Sequence, residues 1–462
     1  MSDLPTPTPS ELTSAPRDVK LLVVDLLKVH SFATLKSLRL VNREWHALVG
    51  PALWSHLRLE PKPTKRLAAF ALSHIYRLHS HVRSITIDKW YRSVNFHPYK
   101  GRHGPSKTVQ DYLDYLDNVL GLSGWPAPDR PALNWSERAA RIQNALLARI
   151  LHACTELRTV EIVGSLAIVT GSEDEVERVS ETTVPNRVYP ALKNGGKSVT
   201  KVSVTLSTNK FGDFHPVGEM TRLVLFFPEC RQLDLHLRGK VVKRWNSKNR
   251  PRLMRAIAGL EKLEELDTRG WTAWDEIVHD ESVSLPGTVR SLRIEDGLIS
   301  LGGLALLGKR YGKQLVNLDI DNLVESSGFD LDSASLDTVR FETVEELTLE
   351  GFLTRNVLAA FAASPLRAVK LTFEAGTHHP RPVFFPIIFI EISRPATLKV
   401  TPRDILQFLA HHKPTLELVS IFPDPEIGDL VMDEPEMEAW EEVTAWCRRN
   451  NVRGGLYEGL DD

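Results

Sequence analysis

The sequence predicts an α/β chain in which three short N-terminal helices precede an irregular solenoid of strand-helix units, with parallel strands inside and helices outside. Two patterns predict it. Residues 16–59 repeat apolar side chains at a helical period in three short runs, and from residue 82 onward one short phrase recurs, apolar at its first, fourth and sixth places.

The first run carries Val19, Leu22, Val23, Leu26 and Leu27; the second Phe32, Leu35, Leu38 and Val41; the third Trp45, Leu48, Val49, Leu53 and Trp54. Pro16 and Asp18 open the first helix, Ser31 is placed to cap the second and Asn42 the third. Helices this short enclose little apolar surface of their own, so some of these faces are expected to meet a partner. The same pattern also suits a helical cap on whatever follows.

These residues resemble the F-box. The resemblance rests on Ala15-Pro16-Arg17-Asp18, Val23-Val24, Leu27, Leu35, Leu38 and Val41, on Arg43 two residues before Trp45, and on Leu48 and the closing Leu53-Trp54. Ala15, Asp18 and Asn42 depart from the usual residues, and Lys20 stands at a commonly apolar place, where it is expected to weaken the contact of the first helix. The resemblance implies docking onto a Skp adaptor, which bridges to a cullin. Carried over by position, the Skp-facing residues are Pro16, Val23, Leu27, Leu35, Leu38, Trp45 and Trp54. Some of these belong instead to the internal core of the helices, and the sequence does not divide them.

The recurring phrase starts at Val82, Leu157, Val199, Cys230, Leu263, Val289, Leu315, Val344, Leu366 and Leu416. Its alternating end fits a short strand with one buried face. From Cys230 to Leu366 the phrases start roughly 22 to 33 residues apart, the range of a solenoid repeat. Helical segments fall between them at 253–260, 301–311 and 356–363, and a last helix at 433–450 ends in Arg448-Arg449, as the helix dipole favours. The phrases resemble leucine-rich repeats, although the Asn expected after each strand is replaced by Trp271, Gly297, Leu323 and Phe352. An ordinary α/β domain with parallel strands would give similar phrases. Long interruptions at about 90–156, 171–196 and 372–415 read as insertions mapping to loops. The resulting organisation is a disordered Pro/Ser/Thr-rich tail (1–15), an F-box-like helical domain (16–60), the repeat domain (61–432), and a C-terminal capping helix and tail (433–462).

Composition narrows the function. A formal net charge of -2, with 25% charged and 42% apolar residues, is that of an ordinary soluble chain and argues against a chain-wide nucleic-acid surface. No membrane partner is expected, because the most apolar run, 383–390, is too short to span a bilayer. Cys154, Cys230 and Cys447 are far apart and lack metal spacing, which suits a reducing, cytoplasmic or nuclear location. Gly195-Gly196-Lys197-Ser198 lacks the earlier glycine and following helix of a phosphate loop, so a glycine-rich turn is expected. The pairs His378-His379 and His411-His412 have no third ligand and read as solvated histidines. No catalytic group, metal or cofactor is expected.

Two features are candidates for choosing a partner. The third, fifth and seventh places of four successive phrases face one side of the strands and carry seven acids, Glu265, Asp267, Glu295, Asp319, Asp321, Glu346 and Glu350, against Arg269 and Arg293. Acids stacked on adjacent strands repel unless a cation offsets them, which suits either a protein substrate with a basic segment or an ordinary solvated strand face. The second feature is a basic stretch after the Cys230 phrase, including Lys240, Lys243, Arg244 and Trp245, suited to a phosphopeptide or nucleic acid. An insert at 90–107, with Tyr91, Phe96, Tyr99 and Arg102, is a third, weaker candidate.

The F-box-then-repeat order resembles F-box proteins of the leucine-rich-repeat class, especially fungal ones. It implies a non-catalytic substrate-recognition adaptor of a Skp-cullin-F-box ubiquitin ligase. The alternatives are a repeat scaffold that binds a partner without ubiquitin transfer and an α/β enzyme with an unrecognised site.

Overall fold

Apolar residues at a period of two, bounded by charged turns, form strands, and those at a period near 3.6 form the helices between them. In a computed structural model the described residues are 15–60, 65–88, 107–122, 135–164, 187–207, 216–238, 250–271, 274–325, 336, 338–374, 400–424 and 434–456. They divide into two compact units, residues 1–206 with 210–229, and residues 207–209 with 230–462.

The first unit opens with α1 (Arg17–His30), α2 (Phe32–Leu38) and α3 (Arg43–Trp54). The Ser31 hydroxyl accepts from Thr34 N, and Asn42 Oδ1 accepts from Trp45 N at 2.9 Å, so both expected caps are in place. Strand β1 (His56–Leu59) follows at once, then a helical stretch made of α4 (Lys65–Ala69), a π-helical turn (Phe70–His74) and α5 (Ile75–Leu78). Strands β2 (Ser84–Asp88), β3 (Thr159–Val163) and β4 (Lys201–Ser207) complete a parallel sheet in the order β1-β2-β3-β4. The interval expected to be a loop insertion after β2 instead contains α6 (Lys107–Val119) and α7 (Trp135–Ala153). Arg138 and Arg141 of α7 pair with Asp117 of α6, and Arg141 also donates to Leu122 O at 2.5 Å. The glycine-rich turn lies where α8 (Val188–Gly195) closes through one 3-10 turn, Gly196–Ser198, into β4, with no helix after Lys197.

The first unit also holds α9 (Pro216–Val224). The second unit runs β5 (Gln232–Arg238), α10 (Arg250–Ala258), β6 (Glu265–Arg269), α11 (Trp274–His279), β7 (Ser291–Glu295), β8 (Ile299–Ser300) and α12 (Leu301–Tyr311). It continues with β9 (Asn317–Val324), β10 (Glu346–Gly351), α13 (Arg355–Ala360), β11 (Ala368–Glu374), α14 (Pro402–His412), β12 (Leu418–Asp424), α15 (Glu434–Arg449) and β13 (Arg453–Leu456). The strands pair in parallel in chain order, with β8 aside on β9. Pairing is in register at matching places of the phrase: Leu266 lies opposite Leu292, Leu292 opposite Leu318, and Leu318 opposite Leu347.

All ten phrases form strands, and their first, fourth and sixth places form the core. Leu263, Leu266, Val289, Leu292, Ile294, Leu315, Leu318 and Ile320 are at most 1% exposed. Each such side chain contributes about 1.5–3 kcal/mol by leaving water. The sixth place of β6 is polar, and its hydroxyl is satisfied inside the core: Thr268 Oγ1 accepts from Trp274 Nε1 at 3.1 Å and donates to Arg293 O at 3.2 Å. Trp271 and Leu323, at places where the repeat pattern expects Asn, are buried apolar side chains. Gly270 and Gly351 end β6 and β10 at φ +75° and +118°, and a Cβ there would strike the carbonyl oxygens of Leu237 and Leu323.

Three strands were not foreseen, and two of them shift expected boundaries. β1 adds residues 56–59, assigned to the helical domain, to the sheet, and β13 extends the sheet beyond the C-terminal capping helix. The histidine expectation also needs correction. His411 is exposed, but His412 is only 3% exposed, and burial, with His411 beside it, pushes its pKa down to about 4. Its ring packs edge-on against Phe408 at 4.7 Å. His378 and His379 lie outside the described residues.

Candidate functional site

In the N-terminal helices the period of 3.6 gives α1 two apolar faces, and the structure separates them. Val24, Leu35, Trp45 and Val49 form a core cluster, flanked by the half-buried Val23, Leu27, Leu38, Leu48, Ala52 and Leu53. Leu35 and Trp45, expected at the Skp-facing surface, are fully buried and cannot touch a partner in this conformation; they fill the space between the three helices. Trp54 is also turned inward, stacked on Phe70 with ring centroids 6.2 Å apart. Val23, Leu27 and Leu38 support the cluster from its rim, and Pro16 is exposed at the N-cap of α1.

The second face of α1 is open. Val19, Leu22 and Leu26, at i, i+3 and i+7, are 47%, 60% and 52% exposed, and Leu21 beside them is 40% exposed. Leu40 and Val41, in the turn after α2, are exposed at 83% and 55%. Exposed apolar residues gathered on one helix face make this stripe a candidate interaction surface. Lys20 lies on the inner side of α1, away from the open stripe. Its ammonium is buried and paired with Glu44 of α3, which draws α1 onto the helix that carries Trp45.

In the second unit the third, fifth and seventh places stand on the opposite side of the sheet from the core. Glu265 and Glu346 are exposed, while Asp267, Glu295, Asp319, Asp321 and Glu350 are half-buried among their neighbours. The expected repulsion is offset in part from within. Arg269 bonds Glu295, and Arg293 reaches Glu295 at 3.2 Å and Asp319 at 3.1 Å. Asp321 Oδ2 accepts from Asp296 N at 2.7 Å. Burial raises the pKa of Asp319, against the pull of Arg293 and Lys370. Burial and the carboxylates of Asp296, Glu295 and Glu350 push Asp321 up to about 6, although the hydrogen bond from Asp296 opposes this.

The basic stretch with Lys240, Lys243, Arg244 and Trp245 lies outside the described residues, as does the aromatic segment with Tyr91, Phe96, Tyr99 and Arg102. Among the described residues no group of three or more His, Cys, Asp or Glu is placed to hold a metal, and no helix is long and apolar enough to cross a membrane. Sequence reading missed Val19, Leu22 and Leu26 as the open face, since inner and outer residues of α1 are equally apolar. The signal available was Lys20: a buried pair with Glu44 fixes which side of α1 faces α3. No known family profile matches the chain, and no curated protein matches it.

Proposed function

We propose that this chain is the substrate-recognition adaptor of a Skp-cullin-F-box ubiquitin ligase. Its N-terminal helices dock a Skp adaptor, and its strand-helix units hold a protein substrate. The chain carries out no bond chemistry in this reading; it acts by bringing a substrate near a charged ubiquitin carrier, which raises the effective concentration of the reacting groups. The observation that carries the proposal is the open stripe of Val19, Leu22 and Leu26 on a helix whose inner face is already filled by Val24, Leu35, Trp45 and Val49. The F-box-like spacing of Pro16, Arg43-x-Trp45 and Leu53-Trp54 and the parallel strand-helix order that follows support it.

The test is co-expression of the full chain with a Skp adaptor and size-exclusion chromatography, beside the variant Leu22→Asp with Leu26→Asp. Co-elution of the wild type, lost in a variant that keeps its circular-dichroism melting curve, supports the proposal. A folded wild type that never co-elutes with the adaptor overturns it. Capture of a cullin and of a ubiquitinated partner separates a ligase adaptor from a scaffold that binds without ubiquitin transfer.

A further inference from the structure

The charged sheet face of the second unit is more than a solvated surface, because its counter-charges are unevenly placed. Both guanidiniums, Arg269 and Arg293, converge on Glu295, and Arg293 also serves Asp319. Among the described residues, Glu265, Asp321 and Glu346 have no guanidinium within ion-pair distance. Asp267 Oδ2 lies 3.9 Å from His236 Nε2 and Asp321 Oδ2 accepts from Asp296 N, while the Oδ1 atoms of both are shielded from water and accept no hydrogen bond among the described residues. Burial first, and then the nearby carboxylates of Asp296, Glu295 and Glu350, raise the pKa of Asp321. The face therefore carries an acid excess across four adjacent parallel strands, β6, β7, β9 and β10, which pair in register through the sixth place of the phrase, with a shift between β9 and β10 after Leu349.

We propose that this face binds an extended, arginine- or lysine-bearing segment of a partner protein. The inference rests on the reading of the repeats as the substrate-holding part of an adaptor, and it names the chemistry of that substrate. Charge complementarity selects the occupant. A single metal ion does not suit the face, since among the described residues no three ligands converge on one point. Nucleic acid would meet the same charge sign. An extended segment presents like-facing side chains about 7 Å apart, and neighbouring rows of this sheet lie about 5 Å apart, so successive cations reach different strands. Glu265 and Glu346 give such a segment exposed ends to approach.

The test uses the full chain and a fluorescein-labelled peptide of five Arg-Thr repeats, read by fluorescence anisotropy at low ionic strength, with a Glu-Thr peptide of the same length as comparison. The wild type is expected to bind the Arg-Thr peptide and not the Glu-Thr peptide. Glu265→Lys with Glu346→Lys, both exposed positions that the fold tolerates, should weaken Arg-Thr binding at least tenfold, and the Glu-Thr peptide should then bind. Glu261→Lys with Glu281→Lys, exposed acids on turns outside the strands, should leave Arg-Thr binding within twofold. Failure of the wild type to bind the Arg-Thr peptide overturns the inference, as does an equal loss in both variants, which would mean diffuse charge alone. The readout is independent of the adaptor: the Leu22→Asp, Leu26→Asp variant should bind the peptide normally, so loss of Skp co-elution and loss of peptide binding are separate failures.

Discussion

The Lys20 ammonium lies 2.8 Å from the Glu44 carboxylate and 5.9 Å from the centre of the Trp45 ring. The lysine side chain is 5% exposed and the glutamate 51%, so one partner is sealed and the other is half in water. That asymmetry sets the cost of breaking the pair. Lys20→Met keeps the packed stem and leaves Glu44 to the solvent, at a cost below about 1 kcal/mol. Glu44→Gln withdraws a charge from a buried ammonium and should cost more, about 1–3 kcal/mol. Urea unfolding of the two variants checks the order; equal midpoints would mean that the pair does not hold α1 on α3.

The open face of α1 and the buried face of α2 should respond very unequally to substitution. Leu22→Asp adds a charge where the side chain is 60% exposed and should move stability by no more than about 0.5 kcal/mol. Leu35→Ala removes a fully buried side chain from the cluster around Trp45 and should cost about 2–5 kcal/mol. Thermal melts decide between them, and a large loss from the Leu22 change would place that residue in the core instead.

Thr268 joins Trp274 to the backbone of β7 within the core. Thr268→Val preserves the shape but leaves the buried Trp274 N–H without an acceptor, at a cost of about 1–3 kcal/mol. Thr268→Ser keeps the hydroxyl and should recover the hydrogen-bonding part of that loss. The measurement is the shift in Tm for each variant, and a Val variant as stable as the Ser variant would show that the hydroxyl contributes nothing.

Asp321 gives the fold a pH dependence of definite sign. Its carboxyl is raised to about 6 in the folded chain, against about 3.9 for an exposed aspartate. Between those values the folded state holds more protons than the unfolded one, so stability should fall as pH rises from about 4 to 6. Because the side chain is only half-buried, the full effect above pH 6 is on the order of 1 kcal/mol. Asp321→Asn retains an acceptor for Asp296 N and should remove this part of the slope, gaining that amount at pH 7 while changing little at pH 4. Unfolding midpoints at both pH values test it.

The strands were largely legible because the phrase encodes them twice, by alternation and by spacing. β1 was not, since Leu57 and Leu59 are only two apolar residues directly behind a helical run, and β13 was hidden by Gly454 and Gly455, which supply no side chain to alternate. At the N-terminal helices the periodicity identified which residues are apolar but not which face closes inward. Leu35 and Trp45 therefore read as contact residues, while Leu22 and Leu26 went unselected. Across the sheet the acids were visible from the phrase alone. The sharing of Glu295 between Arg269 and Arg293 was not, because it depends on how adjacent strands align. His412 differs from its neighbour His411 only by its place on α14, and a pair of identical letters carries no such distinction.

Among the described strands of the second unit, those after β9 each join the neighbour that precedes them, with Ala368 opposite Glu346, Leu418 opposite Ala368 and Arg453 opposite Leu418. Its last described strand, β13, is the short segment Arg453–Leu456, paired along β12. Under tension applied at the C-terminal end, such a series yields from its terminus inward, because each lost pairing leaves the one before it intact. A pulling experiment should record a succession of small force peaks rather than one cooperative rupture, the first of them from the detachment of β13.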